Sequence, residues 1–311
     1  MPNNHILVVI DPTTEEQPAL ARATWLGGRL EVPLELFICV YDQYLAGTGF
    51  FDAAGLETLR GRLIEDSMTA LGSLAEEPRR NSLTVELDAR WDHPLDQGIV
   101  RKVLDSNPAL VIKDTHYHPA IKRAIFSNTD WNLIRSCPAP LMLVKPHDLP
   151  ETPTVIAAVD PVHHHEKPAG LDQAIISAAI ELTSAVSGDL HIFHSFDPAP
   201  AVSAAAYGVP PLGVDVKEIA DIVKQRHQGA LEELTGGYSV PADHIHFQQG
   251  PPHLELAAVV EELNADFVVM GSVSRSALDR SFLGSTAEKV LDGLPCNLLL
   301  IKPPGLGGLT P

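Results

Sequence analysis

Positive charge is scarce in this chain of 311 residues: 22 lysines and arginines stand against 40 aspartates and glutamates, a formal net charge of −18. Binding a phosphate backbone requires basic surface, so the balance excludes a general nucleic-acid binder and leaves solubility as the plain meaning of the acidity. It does not exclude one local phosphate site, where backbone N–H groups stand in for lysines. Cysteine is nearly missing too. Cys39, Cys137 and Cys296 are odd in number, far apart and without a CxxC pair. They fit buried or partly buried thiols in a reducing cytoplasm better than a disulfide framework. No run of 18 apolar residues occurs, so no membrane span is expected. Met1–Val9 lacks the basic segment and small-residue cleavage site of a signal peptide. Enzyme signatures are absent as well: there is no Walker A loop, GxSxG elbow, kinase motif set, HExxH or EF-hand loop.

What the sequence does contain is a repeat. Leu110–Lys145 aligns without a gap on Phe267–Lys302 at a constant shift of 157 residues, with identities that include Val111/Val268, Arg123/Arg280, Thr129/Thr286, Pro138/Pro295 and Lys145/Lys302. Upstream, ILVVIDP (Ile6–Pro12) resembles VIAAVDP (Val155–Pro161), and LELFICVYD (Leu34–Asp42) resembles LHIFHSFD (Leu190–Asp197). The length is also about twice that of a usual domain. Two copies of one unit are therefore expected, over residues 1–148 and 153–304, with Pro146–Pro153 as linker.

Within each unit, short Val/Ile/Leu runs alternate with longer amphipathic stretches. Apolar runs without clean alternation suit a parallel sheet covered on both faces. Strands are expected near Ile6–Ile10, Leu34–Val40, Thr84–Ala89, Leu110–Ile112 and Leu141–Val144, and again near Val155–Val159, Leu190–Phe196, His244–Gln248, Phe267–Met270 and Leu298–Ile301. Helical patterns lie between them, among them Pro18–Gly27, Leu56–Leu74, Leu95–Leu104, Asp172–Val186, Asp215–Leu234, Leu254–Leu263 and Thr286–Leu291. The fold class is α/β: two tandem doubly wound, Rossmann-like domains, each around a five-stranded parallel sheet.

In such sheets a ligand sits beyond the carboxyl ends of the strands, at the point where strand order reverses. The residues following the first and fourth strands are therefore the informative ones. The first strand of each half is followed by Asp-Pro, Asp11-Pro12 and Asp160-Pro161. After the fourth strand the halves diverge. The second half reads Met270-Gly271-Ser272-Val273-Ser274-Arg275 and then, eight residues on, Gly284-Ser285-Thr286. Glycines admit close backbone approach. The Gly284-Ser285-Thr286 step opens a predicted helix, whose first N–H groups suit phosphate oxygens.

This spacing resembles the nucleotide motif of the universal stress protein family, Gly-x2-Gly-x9-Gly-Ser/Thr, with Ser274 in place of the second glycine. The resemblance covers essentially the whole chain and looks closest to the tandem, UspE-like branch. It implies a stress-response protein that holds ATP or another adenine nucleotide in its C-terminal half, with Mg2+ as an optional companion. The implied site is Val159, Asp160, Pro161, Ser195, Met270, Gly271, Ser274, Arg275, Gly284, Ser285 and Thr286, with Asp160 recognising adenine. At most, slow ATP hydrolysis or autophosphorylation at Ser285 or Thr286 is implied, and no catalytic residue. It further implies an intramolecular pseudo-dimer in which Leu141–Lys145 pairs with Leu298–Lys302, and leaves a homodimer of tandems open. The other readings are a nucleotide-free interaction scaffold, or a more apolar ligand in the first half, lined by the loop Leu45–Gly55 with Phe50 and Phe51.

The first half carries Asp114 where Gly271 stands, His118 where Arg275 stands, and Ser127-Asn128 where Gly284-Ser285 stand. An acidic side chain repels phosphate, so this half is not expected to bind ATP in the family manner. His163-His164-His165, beside Glu166, is a weak candidate for zinc or nickel, and His116 with His118 a second weak one; an exposed polar loop is the other reading. His194 is expected to be a hydrogen-bonded core histidine rather than a catalyst. The stretch Pro198–Val214 reads as a long loop in which Tyr207 covers a ligand.

Overall fold

A computed structural model of the chain describes residues 4–47, 52–118, 123–125, 127–162, 170–207, 216–272 and 294–302, and for 116–118, 123–125 and 204–207 the backbone alone. The chain divides into two compact units near Asp148 and Leu149. In the first, the main strands are Ile6–Val9 (β1), Leu34–Val40 (β2), Val85–Trp91 (β3) and Leu110–Asp114 (β4). A short antiparallel pair, His116–His118 (β5) with Arg123–Ile125 (β6), precedes Leu141–Val144 (β7). The main sheet runs β7-β4-β1-β2-β3 and every pair in it is parallel. In the second unit, Thr154–Ala158 (β8), Asp189–Phe196 (β9), Ile245–Gln249 (β10), Phe267–Gly271 (β11) and Asn297–Ile301 (β12) lie in the order β10-β9-β8-β11-β12, again all parallel.

Each sheet thus starts at its centre and grows outward on both sides, which puts the reversal of strand order between β1 and β4 in one unit and between β8 and β11 in the other. The apolar runs form the strands because both faces are covered: Leu7, Val8, Ile112, Val155, Ile156, Val268 and Val269 are fully buried. The connecting helices of the first unit are Pro18–Leu30 (α1), Ala53–Leu74 (α2), Glu76–Arg80 (α3), Leu95–Ser106 (α4) and Asn128–Ser136 (α5). Those of the second are Leu171–Val186 (α6), Ala199–Tyr207 (α7), Val216–Thr235 (α8) and Pro252–Leu263 (α9). Among the described residues, no helix is long and apolar enough to cross a membrane.

Two local expectations need correction. Pro198–Val214 is not one long loop, because Ala199–Tyr207 is helical. The backbone N–H of Ala199 donates to Asp197 Oδ1 at 2.9 Å, and the alanine-rich stretch that follows has the highest intrinsic helix propensity. The β5–β6 pair adds two strands outside the parallel sheet of the first unit, and places His116 and His118 on one of them. The helix proposed over Thr286–Leu291 lies outside the described residues, as do Phe50 and Phe51.

The three cysteines are thiols rather than disulfide-bonded, and two of them are buried. Burial first, and the neighbouring Asp92 second, push the Cys39 thiol up to about 12. Only thiolate attacks electrophiles, so at pH 8 Cys39 should react with a maleimide on the order of a thousandfold more slowly than an ordinary thiol. All three thiols should label rapidly only after unfolding; fast labelling of Cys39 in the native chain would contradict this account.

Candidate functional site

The switch point of the second unit brings together the ends of β8, β9 and β11. Ala158 pairs with Phe193 on one side and with Met270 on the other. One step further along each strand, Val159 stands level with Gly271; two steps along, Asp160 stands level with Ser195 (in parallel strands, equal steps stay side by side). Val159, Asp160, Pro161, Ser195, Met270 and Gly271, separated by up to 112 residues, therefore converge on one rim.

Local bonds fix that rim. The N–H of Val159 donates to the Phe193 carbonyl at 3.0 Å, extending the β8–β9 ladder past the end of β8. The N–H of Asp160 donates to Asp172 Oδ1 at 3.1 Å, so the first turn of α6 holds the Asp-Pro step against the sheet. Asp172 is buried, and sequence reasoning missed this role; an acidic residue in the first turn of a helix, twelve residues after Asp160, was the available signal. His194 lies beneath the rim, 2 % exposed. Its Nδ1–H donates to the Val159 carbonyl at 3.0 Å, which leaves Nε2 to accept from Nδ1–H of His227 at 2.8 Å. His194 is thus the hydrogen-bonded core histidine that its position on the second strand suggested. It also clamps the backbone immediately before Asp160.

Ser195 is different. Its side chain is buried, at 6 % exposure, and its hydroxyl has no hydrogen-bond partner among the described residues. Leaving a buried hydroxyl unpaired costs about 1–3 kcal/mol, and most buried polar groups in native folds find a partner in protein, water or ligand. On the opposite flank, a Cβ at Gly271 would lie 2.8 Å from Leu171 Cδ2 and 3.3 Å from Ile175 Cδ1. The glycine therefore admits close packing of α6 on β11, a role that the sequence does not separate from close approach of a ligand. Just beyond it, Lys302 Nζ donates to Ser272 Oγ at 3.1 Å, linking the ends of β11 and β12. Ser274, Arg275, Gly284, Ser285, Thr286 and the histidines His163, His164 and His165 lie outside the described residues.

The same place in the first unit is occupied by the chain's own charges. Lys113 and Asp114 stand where Met270 and Gly271 stand in the repeat. Lys113 Nζ lies 2.9 Å from Asp130 Oδ1 and donates to the Asp114 carbonyl at 2.8 Å. Asp130 closes a capping box on Ser127 at the start of α5, accepting from the Ser127 N–H at 2.8 Å and from its hydroxyl at 2.9 Å. The helix end that would face a phosphate is thus already capped by a fully buried carboxylate.

A family model for the universal stress protein family matches residues 2–145 and, a second time, residues 155–302. The chain belongs to the universal stress protein family. Universal stress protein E of Escherichia coli K12 is 28% identical over 307 residues, covering 96% of this chain and 94% of that protein. Its counterpart in Photorhabdus laumondii is 29% identical, with 97% and 95% coverage. Among solved structures, that of a functionally unknown protein from Pseudomonas aeruginosa PAO1 superposes with a TM-score of 0.73 at 26% identity, covering 97% of this chain and 94% of that one. The similarity to universal stress protein E runs through both halves, so the tandem organisation is shared along with the fold.

Proposed function

We propose that this tandem universal stress protein binds an adenine nucleotide, ATP or a relative, in its second unit and not in its first. The Ser195 hydroxyl carries the reading. It is a buried group without a hydrogen-bond partner among the described residues, level with Asp160 at the switch point, and a ligand that hydrogen-bonds there removes its cost. The Gly271-x2-Ser274-x9-Gly284-Ser285 spacing supports a phosphate path leading away from that rim. The Lys113–Asp114–Asp130 cluster argues against the same ligand in the first unit, because a phosphate would meet carboxylates there.

In this reading Asp160 accepts from the adenine amine, and its backbone is held in position by α6 through the bond from its N–H to Asp172. Denaturing freshly purified protein should release nucleotide detectable by absorbance and mass spectrometry, and titration of emptied protein with ATP and Mg2+ should give heat. A hydrogen bond to a charged group contributes about 1.5 kcal/mol or more, so Asp160→Ala should weaken binding about tenfold or more. Gly47→Ala, where an added Cβ meets nothing within 4 Å, should leave it unchanged. No released nucleotide together with no heat on titration would overturn the proposal in favour of a nucleotide-free scaffold.

A further inference from the structure

At the other end of the same strands lies a cluster that the nucleotide reading does not use. Parallel pairing sets Phe193 beside His246 and Ile192 beside Ile245, which brings His191 of β9 level with His244 at the foot of β10. Asp189, the first residue of β9, sits next to both. His191 Nε2 is 3.3 Å from Asp189 Oδ2, and His244 Nδ1 is 3.3 Å from Asp189 Oδ1. One ligand-type atom from each of these three residues falls within a 4.8 Å span. The two imidazole rings stack, with centroids 4.3 Å apart. His246 adds a third imidazole behind the first, its Nε2 2.9 Å from His191 Nδ1.

We infer that Asp189, His191 and His244 form a binding site for one late first-row divalent metal ion, Zn2+ being the physiological choice, with His246 as the residue that orients His191. A tetrahedral zinc centre with bonds of about 2.0–2.1 Å sets its ligand atoms roughly 3.3–3.4 Å apart, which is the spacing of His191 from one Asp189 oxygen and of His244 from the other, so a small turn of the carboxylate completes the set. Two imidazoles and a carboxylate form a donor set that late divalent ions prefer over Mg2+ or Ca2+. A metal on His191 Nε2 requires the proton on Nδ1, where His246 Nε2 is in place to accept it; metal-bound histidines are commonly held in this way.

Without metal, His244 Nδ1 also faces the Leu190 carbonyl at 3.0 Å. The ion takes the place of the proton shared there, and His244 holds it as the neutral Nε2–H tautomer, the proton moving from Nδ1 to Nε2 through solvent. Asp189 is half exposed and His244 a quarter exposed at the side chain, so an ion has a path in and water can fill the fourth position. The site is separate from the nucleotide rim, since His191 precedes Ser195 by four strand residues, roughly 13 Å. Its effect is to tie the beginning of β10, the outer strand of this unit's sheet order, to its neighbour β9.

The test uses the full, tag-free chain with His163, His164 and His165 replaced by glutamine, so that these histidines cannot contribute. After stripping with a chelator, titration with ZnCl2 should show one ion per chain, and CoCl2 should give the intense visible bands of a four-coordinate site. His244→Gln and Asp189→Asn should each lower Zn2+ affinity at least a hundredfold, and His246→Phe about 10- to 100-fold. His253→Gln, on α9 outside the cluster, should change nothing. Zn2+ should raise the melting temperature of the parent and not of His244→Gln. Absence of one-to-one binding in the protein with these three substitutions, or binding unchanged by His244→Gln, would overturn the assignment. The cobalt spectrum decides the case without any change to the cluster, should its variants fold poorly.

Discussion

Replacing Lys102 by alanine should destabilise the first unit by about 3–5 kcal/mol, the usual cost of removing one partner from a buried ion pair. Lys102 is 4 % exposed, on α4, with Nζ 2.5 Å from Glu35 Oε1 of β2 and 2.8 Å from Asp88 Oδ2 of β3. Glu35 is buried too, and its second oxygen lies 3.2 Å from His5 Nε2. The Lys102 ammonium also stands 5.8 Å from the centre of the Phe37 ring. Losing it leaves Glu35 with His5 as its remaining partner among the described residues, inside the layer between sheet and helix, whereas Asp88 keeps Arg90 at 2.9 Å. The cost should therefore fall mainly on Glu35. Urea unfolding should show the loss as a lower midpoint at unchanged slope. Lys102→Met combined with Glu35→Leu should recover most of the stability, because buried pairs replaced together by apolar groups are often neutral. A loss below about 1 kcal/mol for Lys102→Ala would mean that Glu35 changes protonation or reaches water instead.

How much of this the sequence discloses depends on how far apart the cooperating residues lie. The two sheets are legible because each strand is a local apolar run and because the repeat shows every run twice. The strand-end position of Asp160 follows in the same way, since it needs only the end of one strand and a rule about where ligands sit. The helix Asn128–Ser136 had a local signal that the strand–helix reading passed over, the Ser127…Asp130 spacing of a capping box. By contrast, the Ala199–Tyr207 helix is hidden by Pro198 and Pro200, which read as loop punctuation although prolines are tolerated in a helix's first turn.

The histidine cluster is the clearest failure. Three adjacent histidines attract notice in a sequence, yet His191 and His244 are 53 residues apart and meet only through the β9–β10 register. A slip of one residue would turn His244 and His246 to the other face. Local reading offers no means of choosing between these registers. Ser195 is reached through the family resemblance, whereas the lack of a hydrogen-bond partner for its hydroxyl among the described residues shows only in the folded chain.

Gly271→Val should have the largest effect on the second unit, because one substitution acts on both stability and the proposed ligand. A Cβ there falls 2.8 Å from Leu171 Cδ2 and 3.2 Å from Leu171 Cγ, and Leu171 is 2 % exposed with little room to turn away. Valine adds two more methyl groups to the same contact. Overpacking of this kind costs about 1–3 kcal/mol, and the simplest relief is to move the first turn of α6 outward. That turn carries Asp172, which holds the N–H of Asp160. A displacement that relieves the clash therefore loosens the residue proposed to read the adenine, and geometry lost by about 1 Å at a binding group can cost on the order of a hundredfold. Nucleotide affinity should thus fall further than with Asp160→Ala, even though valine adds no charge and removes no hydrogen-bonding group. Gly271→Ala should lie between Gly271→Val and the native chain in both stability and affinity. If stability falls as described while affinity for ATP is untouched, Gly271 serves helix packing alone and the nucleotide path does not pass beside α6.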